Sequence, residues 1–139
     1  MTVVIGDWPQ QQAAATALRH AVFVTEQQVP IELELDEFDA SSEHAVAWLG
    51  DQAVGTGRLL PDGHIGRMAV DRACRGKGVG TALLEALLAQ AGRRGMSAVR
   101  LHAQTHAQGF YARCGFVQEG EPFEEAGIPH IAMRKSLPG

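Results

Sequence analysis

Residues 75–81 read Arg-Gly-Lys-Gly-Val-Gly-Thr and stand directly ahead of a leucine-rich stretch. Glycines at 76, 78 and 80 cost backbone entropy on folding, so packing alone gives no reason for them. A strand that runs into a glycine-rich turn and opens a helix presents backbone N–H groups with no partner inside the helix. The helix dipole adds partial positive charge at that end, and glycine lets an anion reach the main chain without meeting a Cβ. The chemistry on offer is phosphate binding by the amides of Gly76, Lys77, Gly78, Val79, Gly80 and Thr81. Arg75 and Lys77 supply cationic side chains beside them.

Two phosphate motifs fail on spacing. A P-loop needs a glycine where Asp71 stands and Ser or Thr where Gly78 follows Lys77. The dinucleotide fingerprint needs a further glycine where Thr81 or Leu83 stands, and an acidic residue at the end of the next strand, which reads RLHA. What remains is Arg75-x-x-Gly78-x-Gly80 after MAVDRAC. This pattern resembles the pyrophosphate-binding motif of the GNAT N-acetyltransferase superfamily. GFYARCGF at 109–116 has the form of that family's last helix, which carries a tyrosine and ends in Gly-Phe. The stretch R..VFV.EQ at 19–27, an acidic loop and His44 opening the next strand are similar to the ElaA and YjcF group of small bacterial GNAT proteins.

The resemblance implies a fold, a co-substrate and roles. The fold is α+β: a central, mostly antiparallel twisted sheet of six to seven strands, flanked by about four helices, in one domain over 1–139. The co-substrate is acetyl-CoA, with its diphosphate on the amides of 76–81 and its pantetheine arm along Met68, Ala69 and Val70, mimicking a strand. The strand holding those residues should splay from the one at 97–103. A main-chain N–H near Met68 would polarise the thioester carbonyl, an oxyanion-type contribution of about 3 kcal/mol. Tyr111, the single tyrosine, occupies the family's general-acid position. Gln104 stands seven residues earlier, where the family often has an asparagine contacting pantetheine.

The acceptor implied is a primary amine, on a small molecule or a peptide, that attacks directly. It must arrive neutral, so some group takes a proton. Glu26, His64 and Asp36 are the candidates; Glu26 comes first because TEQ ends the helix bordering the cleft. The acidic run Glu32, Glu34, Asp36, Glu37 and Asp39 would either attract a cationic acceptor, such as a polyamine, an aminoglycoside or a lysine side chain, or serve as solvated loop charge. Two other functions share the cradle: a non-catalytic acyl-CoA sensor, and transfer of a longer acyl group. The resemblance also allows a homodimer.

These residues need elements to position them. TVVIGDW (2–8) reads as a strand, and 10–28 as a helix after Pro9. HAVAWLG (44–50), AVGTGRLL (53–60) and HIGRMAV (64–70) read as a meander of three antiparallel strands. A helix over 79–92 puts Leu83, Leu84, Leu87, Leu88 and Ala91 on one stripe, closed by Gly95. A strand at 97–103, a short helix at 104–115, and two strands ending near 129–135 complete the chain.

Composition bounds the remaining classes. The chain has 139 residues and a net charge of −4, a poor balance for gripping nucleic acid. No apolar run reaches the roughly 20 residues of a membrane span, so no membrane partner is expected. MTVVIGDW does not read as a signal peptide. Cys74 and Cys114 form no CxxC pair and read as two reduced thiols in a cytoplasmic protein. His102 and His106 have i, i+4 spacing across a strand–helix boundary, with no HExxH or cysteine cluster, so no metal is expected.

Overall fold

The computed structural model describes residues 1–30 and 36–138. The strands are β1 (Thr2–Gly6), β2 (Glu43–Leu49), β3 (Gln52–Leu59), β4 (His64–Val70), β5 (Ala98–Gln104), β6 (Val117–Glu125) and β7 (Ile128–Ser136). The α-helices are α1 (Trp8–Arg19), α2 (Val79–Arg93) and α3 (Gln108–Arg113), three among the described residues where about four were expected. Their order matches the sequence reading, with ends displaced by a few residues. The first helix departs most. It begins at Trp8 because Asp7 caps it: Gln10 N–H donates to Asp7 Oδ1 at 3.0 Å, and Asp7 N–H donates to Gln10 Oε1 at 3.2 Å. Asp7→Ala should cost about 1 kcal/mol, read as a shift in denaturant midpoint.

The regular α-helix stops at Arg19, and His20–Glu26 continues as a π-helix. The stretch Val22-Phe23-Val24 is crowded at Cβ and disfavours the tight α turn. Gln27 N–H donates to Val22 O at 3.0 Å, five residues back, which is the wide-turn pattern. This segment delivers Glu26 and Gln27 to the cleft described below.

The seven strands form one sheet in the order β1-β2-β3-β4-β5-β7-β6. Every neighbouring pair is antiparallel except β4 and β5. Leu83, Leu84, Leu87 and Ala91 of α2 are completely buried against it. Glycine on β3 permits that approach: a Cβ on Gly55 would lie 2.8 Å from side-chain carbons of both Val79 and Leu83. Gly55→Val should therefore destabilise the fold by about 1–3 kcal/mol through overpacking, seen in chemical denaturation. Arg58, one residue beyond Gly57, projects to the other face, where it meets Asp39 beside Arg19 of α1.

Two irregularities shape the site. β4 pairs with β5 only at His64↔Arg100 and Ile65↔Leu101, and beyond that the parallel strands part. On the other edge of β4, Thr56 pairs with Ala69 and Arg58 with Gly66, so β4 carries one extra residue between them. Arg67 absorbs that bulge with φ +50°. The fork expected between these strands is present, and the bulge lies within it.

The acidic run is only partly described; Ile31, Glu32, Leu33, Glu34 and Leu35 lie outside the described residues. Asp36 and Asp39 are not solvated loop charges. Asp39 takes Arg19 Nη1 at 2.7 Å and Nη2 at 3.1 Å, and Arg58 Nη1 at 3.0 Å. Asp36 takes Arg58 at 2.7 and 2.9 Å and Arg67 at 3.1 Å. No helix among the described residues is long and apolar enough to cross a membrane.

Candidate active site

A cleft of about 1140 Å³ opens between α1's π-helical extension, β4, β5, the 76–81 turn and the β6–β7 hairpin. Its phosphate end is built as the residue types require. Gly76 and Gly78 have φ of +77° and +85°, where only glycine is unstrained. A Cβ at either would meet nothing within 4 Å, so the space beside them is open. Gly78 is the N-cap of α2 and offers it no side-chain hydrogen bond. The contrast with α1, capped by Asp7, is direct: the same chain seals one helix start and leaves the other bare. Gly80 differs. A Cβ there would come 3.4 Å from Phe110 Cζ, so it serves close packing on α3. Cys74 is buried and Cys114 half-buried, both as free thiols.

Arg75 and Glu26, read separately as phosphate support and base, are brought together. Arg75 Nη1 and Nη2 donate to Glu26 Oε2 and Oε1 at 2.6 and 2.7 Å, and Nε donates to Val70 O at 3.1 Å. The paired guanidinium holds the Glu26 carboxyl below its usual range. Burial alone would raise Asp36, but Arg58 and Arg67 outweigh it and hold Asp36 low as well. Lys77 and Thr81 are exposed beside the turn.

Met68, Ala69 and Val70 line the cleft along β4, and Gln104 lines it from the end of β5. Gln104 Nε2 donates to Gln27 Oε1 at 2.9 Å and Gln27 Nε2 donates back to Gln104 Oε1 at 3.2 Å. His106 Nε2 also approaches Gln104 Oε1, at 2.6 Å. Tyr111 lies between Phe110 and Phe116, with ring centroids 5.0 and 5.9 Å away. Its hydroxyl has no hydrogen-bond partner among the described residues, and burial pushes its pKa up to about 12. A phenol so placed keeps its proton through the neutral range and can donate it into the cleft.

Sequence reasoning missed Gln27 and, on the hairpin wall, Glu125 and His130, which also line the cleft. No local pattern marks them, because Gln27 meets Gln104 across 77 positions and Glu125 meets His102 across 23. Among the described residues no group of three or more His, Cys, Asp or Glu side chains is arranged to hold a metal.

Relatives agree with this geometry. A family profile described as an acetyltransferase (GNAT) domain matches residues 7–137. The uncharacterized N-acetyltransferase YjcF of Bacillus subtilis (strain 168) is 40% identical over 139 residues, covering 97% of this chain and 99% of that protein. The crystal structure of Escherichia coli ElaA superposes with TM-score 0.89 at 33% identity, over 98% of this chain and 100% of that one. An acyl-CoA N-acyltransferase from Pseudomonas aeruginosa gives 0.87 at 34% identity, with 98% and 100% covered. The profile over 7–137 and relatives of this similarity place the cradle, the fork and Tyr111 in a known context: this chain belongs to the GNAT acetyltransferase family.

Proposed function

We propose that the chain, acting as one domain over 1–139 in the cytoplasm, transfers an acetyl group from acetyl-CoA to a primary amine. One observation carries this reading: the uncapped start of α2 opens on the same cleft as the fork, where the β5-facing edge of β4 is unpaired. A diphosphate suits the bare amides, and an extended amide-bearing arm suits the free edge of β4. The backbone at the Arg67 bulge lies along the path of that arm, where a main-chain N–H near Met68 can meet the thioester carbonyl. Tyr111 offers its proton to the leaving thiolate.

A thiol-release assay tests the reading, with acetyl-CoA against polyamines, amino sugars, aminoglycosides and lysine peptides, and with longer acyl-CoAs beside it. Turnover with acetyl-CoA supports acetyl transfer; turnover only with longer chains redefines the acyl group. Binding without thiol release from any of them overturns the enzyme reading. Gly78→Ala puts a Cβ in the anion's path and strains a left-handed residue. Coenzyme Kd measured by calorimetry should rise about tenfold or more, equivalent to about 1.4 kcal/mol.

A further inference from the structure

This inference rests on the acyl-transfer reading above. A primary amine is protonated near neutral pH and must lose a proton to attack. Two of the cleft's carboxylates, Glu26 and Asp36, are committed to arginines. Glu26 accepts two bonds from Arg75, and Asp36 accepts from Arg58 and Arg67. Each is held ionised by its arginines, which makes it a poor proton acceptor. His64 turns Nδ1 toward Asp62 at 3.0 Å in the exposed turn before β4.

Another group stands where β4 and β5 part. The last paired residues are Ile65 and Leu101, and His102 comes next on β5. It lines the cleft and is about half exposed. Its Nδ1 lies 2.9 Å from Glu125 Oε1, so Nδ1–H donates to the carboxylate and Nε2 keeps its lone pair. Nε2 has no hydrogen-bond partner among the described residues. Phe123 packs edge-on against the ring at 5.0 Å, and His64 at 6.3 Å. His130 donates Nδ1–H to Ile128 O at 2.7 Å and sets Nε2 3.7 Å from Glu125 Oε2. Glu125 therefore sits between two imidazoles. A carboxylate that fixes one imidazole nitrogen as a donor leaves the other to take a proton.

The location fits the arm. The phosphate seat follows the far end of β4, so an extended arm returning past Val70, Ala69 and Met68 brings its reactive end toward the closed end of the fork. We propose that His102 takes the proton of the attacking amine, and that Glu125 is the residue that positions it. The ammonium gives its first proton to water before it attacks, and Nε2 accepts the second from the amine nitrogen as the N–C bond forms at the thioester carbonyl carbon. The C–S bond breaks and the thiolate leaves with that electron pair, hydrogen-bonded by the Tyr111 hydroxyl until solvent protonates it, and His102 returns its proton to solvent. The groups facing His102 are His64 from β4, Glu125 from β6, and His130 from β7 through Glu125. Arg100 lies two residues back on its own strand, 3.5 Å from Glu119.

The test is thiol release by the full chain across the neutral pH range, with acetyl-CoA and the amine panel, and in parallel with water as the only acceptor. His102→Gln should lower kcat/KM about 100-fold and leave only the acid limb that follows each amine's own ammonium, with coenzyme Kd unchanged. Added imidazole should restore part of the rate to His102→Ala, which a purely structural ring would not allow. Glu125→Gln should lower the rate about tenfold, because His102 Nδ1–H loses the carboxylate that orients the ring; Glu125→Asp should recover part of it. An active wild-type chain whose His102→Gln variant keeps the full rate, or keeps an acid limb that is the same for amines of different basicity, overturns this proposal and leaves acyl transfer standing. No thiol release from the wild-type chain, with any amine or with water, overturns both.

Discussion

Replacing Tyr111 by phenylalanine should lower kcat about 100-fold or more and leave coenzyme affinity unchanged. The ring's place is set by Phe110 and Phe116, and phenylalanine keeps those contacts. Only the hydroxyl is lost, and among the described residues it bonds to nothing, so the fold should lose little stability. With its pKa pushed up to about 12, the phenol stays protonated wherever the enzyme works. A thiol is a stronger acid than a phenol whose pKa is raised in this way, so full transfer from Tyr111 runs uphill in the resting cleft. The hydroxyl therefore acts chiefly as a hydrogen-bond donor to developing thiolate charge. Such a donor contributes to kcat and not to ground-state binding. Steady-state kinetics with calorimetric Kd values separate the two. Near-normal turnover would remove Tyr111 from the reaction, and a large loss of stability would make its hydroxyl structural.

The second large effect concerns the support beneath the cleft. Asp39→Asn should destabilise the fold by about 3 kcal/mol, because it removes the charge shared by two buried guanidiniums. Arg19 is 1% exposed and Arg58 6%. Arg58 keeps Asp36, whereas Arg19 loses the carboxylate that takes both its terminal nitrogens. Arg67 also bonds Asp36, so the damage should reach the β4 bulge and raise KM. A denaturant midpoint lowered at constant m value is the expected signature; a midpoint within experimental error would show that the network carries no net stability.

The same network sets an acid response. Arg19 and Arg58 overcome the burial that would raise Asp39, so its folded pKa lies below the usual value. Its stabilising effect is present above the unfolded pKa of about 3.9 and disappears as pH falls through the folded value. His44 Nε2–H donates to Asp39 O at 2.9 Å, and burial lowers its pKa. The unfolded chain then binds the extra proton first, so stability should start to fall below about pH 6.5 and fall again below about 3.9. Thermal melts over that range check the two stages. A flat profile between them and neutrality would exclude the His44 contribution.

The amino-acid sequence by itself determined the parts whose physics is local. Alternation and turns marked the strands, the leucine stripe marked α2, and glycines at 76, 78 and 80 marked bare backbone at the start of that helix. Each of these depends on residues within one element or one turn. The π-helical extension was not legible, because the crowding of Val22-Phe23-Val24 weakens an α-helix without specifying the wider turn that replaces it. Nor were the pairings that complete the site: Glu26 with Arg75 across 49 positions, Gln27 with Gln104 across 77, and His102 with Glu125 across 23. Tertiary structure alone decided these. Strand register, one extra residue in β4 and the early parting of β4 from β5 choose which distant side chains meet, and no periodicity in the chain encodes that choice.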